Sequence, residues 1–172
     1  MIDKRIKRIP LTLIFLGILA VWSCQSKKEF ASNEEMRAYI LDQENGLTQE
    51  REQQGIKVNV SVWPKQILFD EKEGIESKDS TIHFLITLSS ARSFGVDVYT
   101  VSKFGDLFKL STASNTQAPR MANFQLLKPN IIQGLLAFDY ERKEGLDLLI
   151  KGMGSKPISM NFLKEDLIAV LD

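Results

Sequence analysis

Cysteine and histidine occur once each in this chain of 172 residues, as Cys24 and His83. A lone cysteine cannot close an intrachain disulfide, and a lone histidine leaves no second imidazole for a zinc-type site. The fold must stand on its hydrophobic core, which a chain of this length can build. An excess of either charge is also missing, since 22 Lys and Arg stand against 22 Asp and Glu. Nucleic-acid binding needs a concentrated basic face, so this balance argues against it. Long apolar runs are scarce too. The stretch from Ile9 to Trp22 falls short of the about 20 residues that a ~30 Å hydrocarbon core demands.

That stretch does have the flanks of a secretory signal. Lys4, Arg5, Lys7 and Arg8 precede it, and polar Gln25, Ser26, Lys27, Lys28 and Glu29 follow. The junction Val21-Trp22-Ser23-Cys24 places an aliphatic residue, a tolerant position and a small residue before the cysteine. It resembles the lipobox of bacterial lipoproteins. The resemblance implies cleavage before Cys24, a diacylglyceryl group on its sulfur and an acylated new N-terminus. One acyl chain anchors marginally, but at about 0.8 kcal/mol per buried CH2 two or three hold durably. Residues 1–23 are thus expected to be a signal peptide, 24–31 a polar tether and 32–172 one domain. The first 23 residues carry four basic and one acidic side chain, so 18 basic and 21 acidic remain, a formal −3. No polybasic patch for anionic lipid results. Gln25 and Ser26 lack the aspartate linked to inner-membrane retention in enterobacterial lipoproteins, which points to the outer membrane.

Beyond the tether, Ser32-Asn33-Glu34-Glu35 reads as a capping box opening a helix over 32–44. Met36, Tyr39 and Ile40 give it one apolar stripe, and Asn45-Gly46 stops it. The period then changes to two. Ile56, Val58, Val60 and Val62 face one way and Lys57, Asn59 and Ser61 the other, with Pro64 ending the strand. Asp70 to Ser80 is a charged loop. Further strands are expected at 81–89, 94–101, 107–110, 124–127, 131–138, 145–150 and 158–162, separated by Gly, Pro and Asn. The tail, 164–172, suits a helix or a closing strand equally. About eight short strands without room for crossover helices predict a mainly β, antiparallel sandwich with a short N-terminal helix.

The C-terminal half has a recognisable layout, Phe124-Gln125-Leu126-Leu127-Lys128-Pro129, then Gln133-Gly134-Leu135-Leu136-Ala137-Phe138-Asp139, then Gly145-Leu146-Asp147-Leu148-Leu149-Ile150. It resembles immunoglobulin-like accessory domains of bacterial surface proteins, which implies an immunoglobulin-like β-sandwich. The segment Ile40-Leu41-Asp42, with Glu44-Asn45-Gly46-Leu47, is similar to lipoproteins of Bacteroidota. Such sandwiches host adhesion, inhibition and scaffolding alike, so no function travels with the likeness.

Candidate chemistry is thin. His83 falls mid-strand opposite Ile82, Phe84 and Ile86, and reads as a sheet-face residue rather than a base. Asp139 and Glu141 share a strand-face spacing, and Asp97 and Asp147 fall in expected strands, yet carboxylates are ordinary on a half-exposed sheet. Asp70-Glu71-Lys72-Glu73-Gly74 lacks the alternating ligands of a calcium loop. Trp63 and Tyr99 are the binding candidates: exposed on a sheet face, they could stack on a sugar or enter a partner protein. The competing reading of both aromatics, and the preferred one, is a second, smaller core where the N-terminal helix covers that face through Met36, Tyr39 and Ile40. No catalytic residue, metal site or cofactor is expected. The function that follows is a non-catalytic, lipid-anchored accessory or scaffold subunit of an envelope complex with a protein partner. A glycan- or peptide-binding module is the alternative, and a carboxylate-dependent hydrolase a remote one.

Overall fold

The computed structural model describes residues 28–69, 80–141, 144–153 and 155–171. The expected signal segment, Cys24 and nearly all of the charged loop at 70–80 lie outside the described residues. The chain opens with α1 (Asn33–Leu41), a 3-10 turn (Gln43–Asn45), β1 (Thr48–Gln53), β2 (Ile56–Trp63) and α2 (Lys65–Phe69). Then follow β3 (Thr81–Ser90), α3 (Val98–Ser102), a second 3-10 turn (Lys103–Leu107), β4 (Phe108–Ser111) and β5 (Thr116–Gln117). β6 (Met121–Lys128), β7 (Ile131–Asp139), β8 (Leu146–Ile150), β9 (Ile158–Phe162) and α4 (Lys164–Leu171) complete it.

Among the described residues the nine strands form two antiparallel sheets, in the orders β1-β2-β3-β7-β6 and β5-β4-β8-β9. The chain is therefore mainly β, and the expected sandwich is what the strands build. Alternation sets its inner faces. Val58, Val60 and Val62 of β2, with Ile82, Phe84, Ile86 and Leu88 of β3, are wholly buried. They meet Phe108 and Leu110 of β4, Leu148 and Ile150 of β8, and Met160 and Phe162 of β9 in one continuous core.

Aromatic rings join the two sheets. Phe84 packs edge-on to Phe138 at 5.9 Å and lies 5.5 Å from Phe162 of the opposite sheet. Phe124 stacks on Phe108 across the gap at 5.5 Å. The register places Gly134 between Ile86 and Phe124. A Cβ at 134 would fall inside the Phe124 ring, so the ring occupies the space that this glycine leaves.

Several sequence expectations change. The polar segment Thr48 to Gln53 is an edge strand, closed onto β2 by the two-residue turn Gln54-Gly55, both at positive φ. The strand expected at 94–101 is not formed. Residues 93–97 are irregular, and Asp97 caps α3 by accepting from the Thr100 N–H at 2.7 Å. The cap outweighs the β preference of Val98, Tyr99, Thr100 and Val101. The tail resolves into helix α4, with Leu167 and Val170 buried.

Ser32 does cap α1, accepting from the Glu35 N–H at 3.2 Å. The Glu35 carboxylate reaches back to the N–H of Ala31 at 2.8 Å, one residue earlier than the expected capping box.

Replacing Gly134 with Ala should cost about 1–3 kcal/mol of stability, the usual penalty for overpacking a core. Urea unfolding reads it, and the cost should shrink in a chain that also carries Phe124→Leu, because the clash is with that ring.

Candidate functional site

Strand ends from both sheets meet at a polar cleft of about 610 Å3. Ser80 enters from the start of β3, Thr112, Ser114, Asn115 and Gln117 from the β4–β5 hairpin, and Asp139, Tyr140, Glu141 and Glu144 from the segment joining β7 to β8. The hairpin is shaped by its own hydroxyls and amides. Thr112 N–H donates to the Asn115 carbonyl at 2.8 Å, and Asn115 N–H donates to Thr112 Oγ1 at 3.3 Å. Gln117 Nε2 donates to the Asp139 carbonyl, tying the hairpin to the other sheet. Tyr140 is buried, its N–H donating to the Ser80 carbonyl at 2.6 Å and its hydroxyl to the Glu144 carbonyl.

Three carboxylates line this one cleft. Asp139 pairs with Arg120 at 3.4 Å and its side chain is 66% exposed. Glu144 accepts from Ser114 Oγ at 3.2 Å. Glu141 stands exposed beside them. Sequence spacing had joined Asp139 and Glu141. It gave no sign of Glu144, Ser114, Asn115 or Gln117, which only sheet pairing brings near. A hydrolase needs acidic groups in one pocket, and this cleft supplies that much. It also needs one acid shielded from water, and the Asp139 side chain is instead exposed and paired with Arg120. The lining suits hydrogen bonding to a hydroxyl-rich or peptidic ligand. Among the described residues, no group of three or more His, Cys, Asp or Glu side chains is arranged to hold a metal ion.

The other sequence candidates separate. Trp63 does lie on the face opposite Val62, paired in register with His83. It is only 9% exposed, however, and offers no stacking platform. α1 and α2 cover it, and the layer beneath them holds Ile40 and Ile67, buried in the same continuous core cluster as Trp63. Thr48 Oγ1 donates to the Ile40 carbonyl at 2.6 Å and lies 2.8 Å from Ser61 Oγ, which pins α1 to the sheet. His83 is buried in the same layer. Trp63 Nε1 is buried without a hydrogen-bond partner among the described residues. Residue 99 lies in α3 rather than on a strand, and the Tyr99 side chain lies outside the described residues. Asp97 serves as a helix cap, and Asp147 of β8 accepts from Asn161 Nδ2 at 3.1 Å on its own sheet.

A second cleft, about 430 Å3, lies between β1 and β9 and is bordered by Gln43, Gly46, Thr48, Arg51, Asn161 and Asp166 among others. Gly46, at φ +73°, closes the first 3-10 turn, and a Cβ there would strike the Asp166 carboxylate. Burial, and then the neighbouring Glu165 charge, push the Asp166 pKa up from the ordinary carboxylate value. Comparison of the chain with family models, with curated proteins and with solved structures finds no match to any of them.

Two outcomes follow from these placements. In a chain lacking residues 1–23, Trp63 is the only tryptophan. Its emission should be blue-shifted and poorly quenched by iodide, and Trp63→Ala should cost about 3–5 kcal/mol, measured by urea unfolding. For Asp166 the raised folded pKa means that the neutral form is favoured by folding. Its contribution is therefore present below the unfolded carboxylate pKa and lost as pH rises through the folded one. Asp166→Asn should raise the melting temperature at neutral pH, and the gain should vanish in acid.

Proposed function

We propose that the protein is a non-catalytic lipoprotein, anchored through acylated Cys24 and serving as an accessory subunit of a cell-envelope complex, at the outer membrane. The carrying observation is the open half of the five-stranded sheet's outer face. α1 and α2 cover that face near Trp63, but at β3, β7 and β6 it presents half-buried Leu85 and Leu135, with Asn123, Gln125 and Gln133 around a groove of only about 120 Å3. Met121 and Leu127 of the edge strand β6 are 40% and 50% exposed. A flat surface mixing apolar groups and amides suits a protein partner better than a small molecule, which favours a concave site. The lipobox-like Val21-Trp22-Ser23-Cys24 supports the anchor.

A photo-crosslinking residue at Gln133 should capture one partner in intact envelopes, and Leu135→Lys in the same chain should abolish the adduct. Palmitate should label the wild-type chain and not Cys24→Ser. Crosslinking indifferent to Leu135→Lys, or recovery of the monomer alone under every growth condition, would count against the accessory role.

The polar cleft favours a second reading, a glycan- or peptide-binding module. Its lining of Ser114, Asn115, Gln117 and Glu144 offers paired donors and acceptors without the Trp63 platform. Retention on a polysaccharide gel that falls with Asn115→Ala, while crosslinking at Gln133 persists, would favour this reading over the first.

A further inference from the structure

The described residues start inside the expected tether, at Lys28. The Lys28 ammonium sits 3.6 Å from the Tyr39 ring centroid, and the Phe30 ring packs on the same tyrosine at 5.3 Å. With the Ala31 N–H held by Glu35, the segment 28–31 is fastened along α1, and the chain joins the domain beside Tyr39. Cation–π and aromatic contacts of this kind contribute of order 1 kcal/mol each.

We propose that the domain docks directly on the bilayer through the exposed face of α1, with lipid as the occupant of that face. The proposal rests on acylation of Cys24. From Cys24 to Lys28 the chain has four residues to extend, and at most about 3.5 Å per residue gives a reach of ~14 Å. The eight residues of β2 alone span roughly 25 Å. A body that large on so short a leash cannot tumble clear of the headgroups, and the point of attachment turns its α1 side towards them.

The chemistry of that side fits the task. Glu34, Ala38 and Leu41 share the helix stripe facing away from buried Ile40, all three are exposed, and Leu41 is 55% exposed. An exposed leucine beside alanine can rest at an interface. Nearby charges are mixed, Lys28 and Arg37 against Glu29, Glu34 and Glu35. Docking is therefore set by tether length and not by attraction to anionic lipid.

The test uses the acylated mature protein in phosphatidylcholine vesicles carrying a headgroup energy acceptor. A donor dye is placed on Ala38→Cys in α1, or on Lys156→Cys at the far end of β2, where Gln53 Nε2 bonds the Lys156 carbonyl. The Cys24 sulfur is blocked by its thioether, so each new thiol is labelled alone. Transfer from position 38 should be several-fold higher than from 156, equally at low and high salt, and a long Gly-Ser insert after Ser26 should erase the difference. Equal transfer from both positions without the insert overturns the docking. A protein that carries no acyl group and does not float with the vesicles overturns the anchor itself, a distinct result.

Discussion

Two β-sheets share a core only where side chains fill the ~10 Å between them, and in this domain stacked and tilted phenylalanines bridge that gap within a largely aliphatic core. Phe84, mid-way along the central strand β3, touches Phe138 of its own sheet and Phe162 of the other. Phe108 and Phe124 repeat the bridge nearer the β6 edge. That second bridge depends on a missing side chain. Gly134 lies beside Phe124 in register, and any Cβ there would displace the ring. Without a disulfide, no covalent clasp holds the sheets, so the register of β6 on β7 and the ring stacked above it must do so together.

The five-stranded sheet also carries an outer face, and its treatment divides the molecule. Near the C-terminal end of β2 that face is buried, with Trp63, His83, Ser61 and Thr48 under α1 and α2. Towards β6 it is open, with Leu85, Leu135 and Met121 among amides. The closed half gives α1 a fixed seat, through the Thr48 hydroxyl and the wholly buried Ile40. The open half lacks such a cover within the described residues. An antiparallel sheet with one wet face ordinarily shows polar residues there. The leucines on this one are what motivate a partner.

Legibility followed the physics of each element. Strands β2, β3, β7, β8 and β9 have one apolar and one mixed face, so their period of two reads directly from Val58-Val60-Val62 or Ile82-Phe84-Ile86. β1 does not, because its inward Gln49 and Gln53 bond carbonyls of Asn161 and Lys156 on the other sheet instead of entering the core. An edge strand that works through amides leaves no hydrophobic pattern. The segment 98–102 misled for the opposite reason, since Val98-Tyr99-Thr100-Val101 looks like a strand and one carboxylate cap turns it into a helix. Alternation put Trp63 on the correct face, but local periodicity carries no information about what packs on that face from elsewhere. The polar cleft was invisible for the same reason. Its residues run from Ser80 to Glu144 and are neighbours only through the pairing of β3 with β7 and the hairpin tie from Gln117 to Asp139.

The two proposed surfaces constrain each other. α1 and the open half lie on the same face of the five-stranded sheet, separated by the step from β2 across β3 and β7 to β6, three strand spacings of about 4.8 Å. A helix stands roughly 10 Å proud of the sheet it packs on. If α1 rests on lipid, the open half faces the bilayer across a gap about one helix thick. A bulky soluble protein cannot enter that gap, whereas a membrane-embedded protein or an element lying in the headgroups can. On the two proposals together, the short leash would do more than retain the domain. It would select a partner that is itself at the membrane surface and leave the four-stranded sheet facing outward.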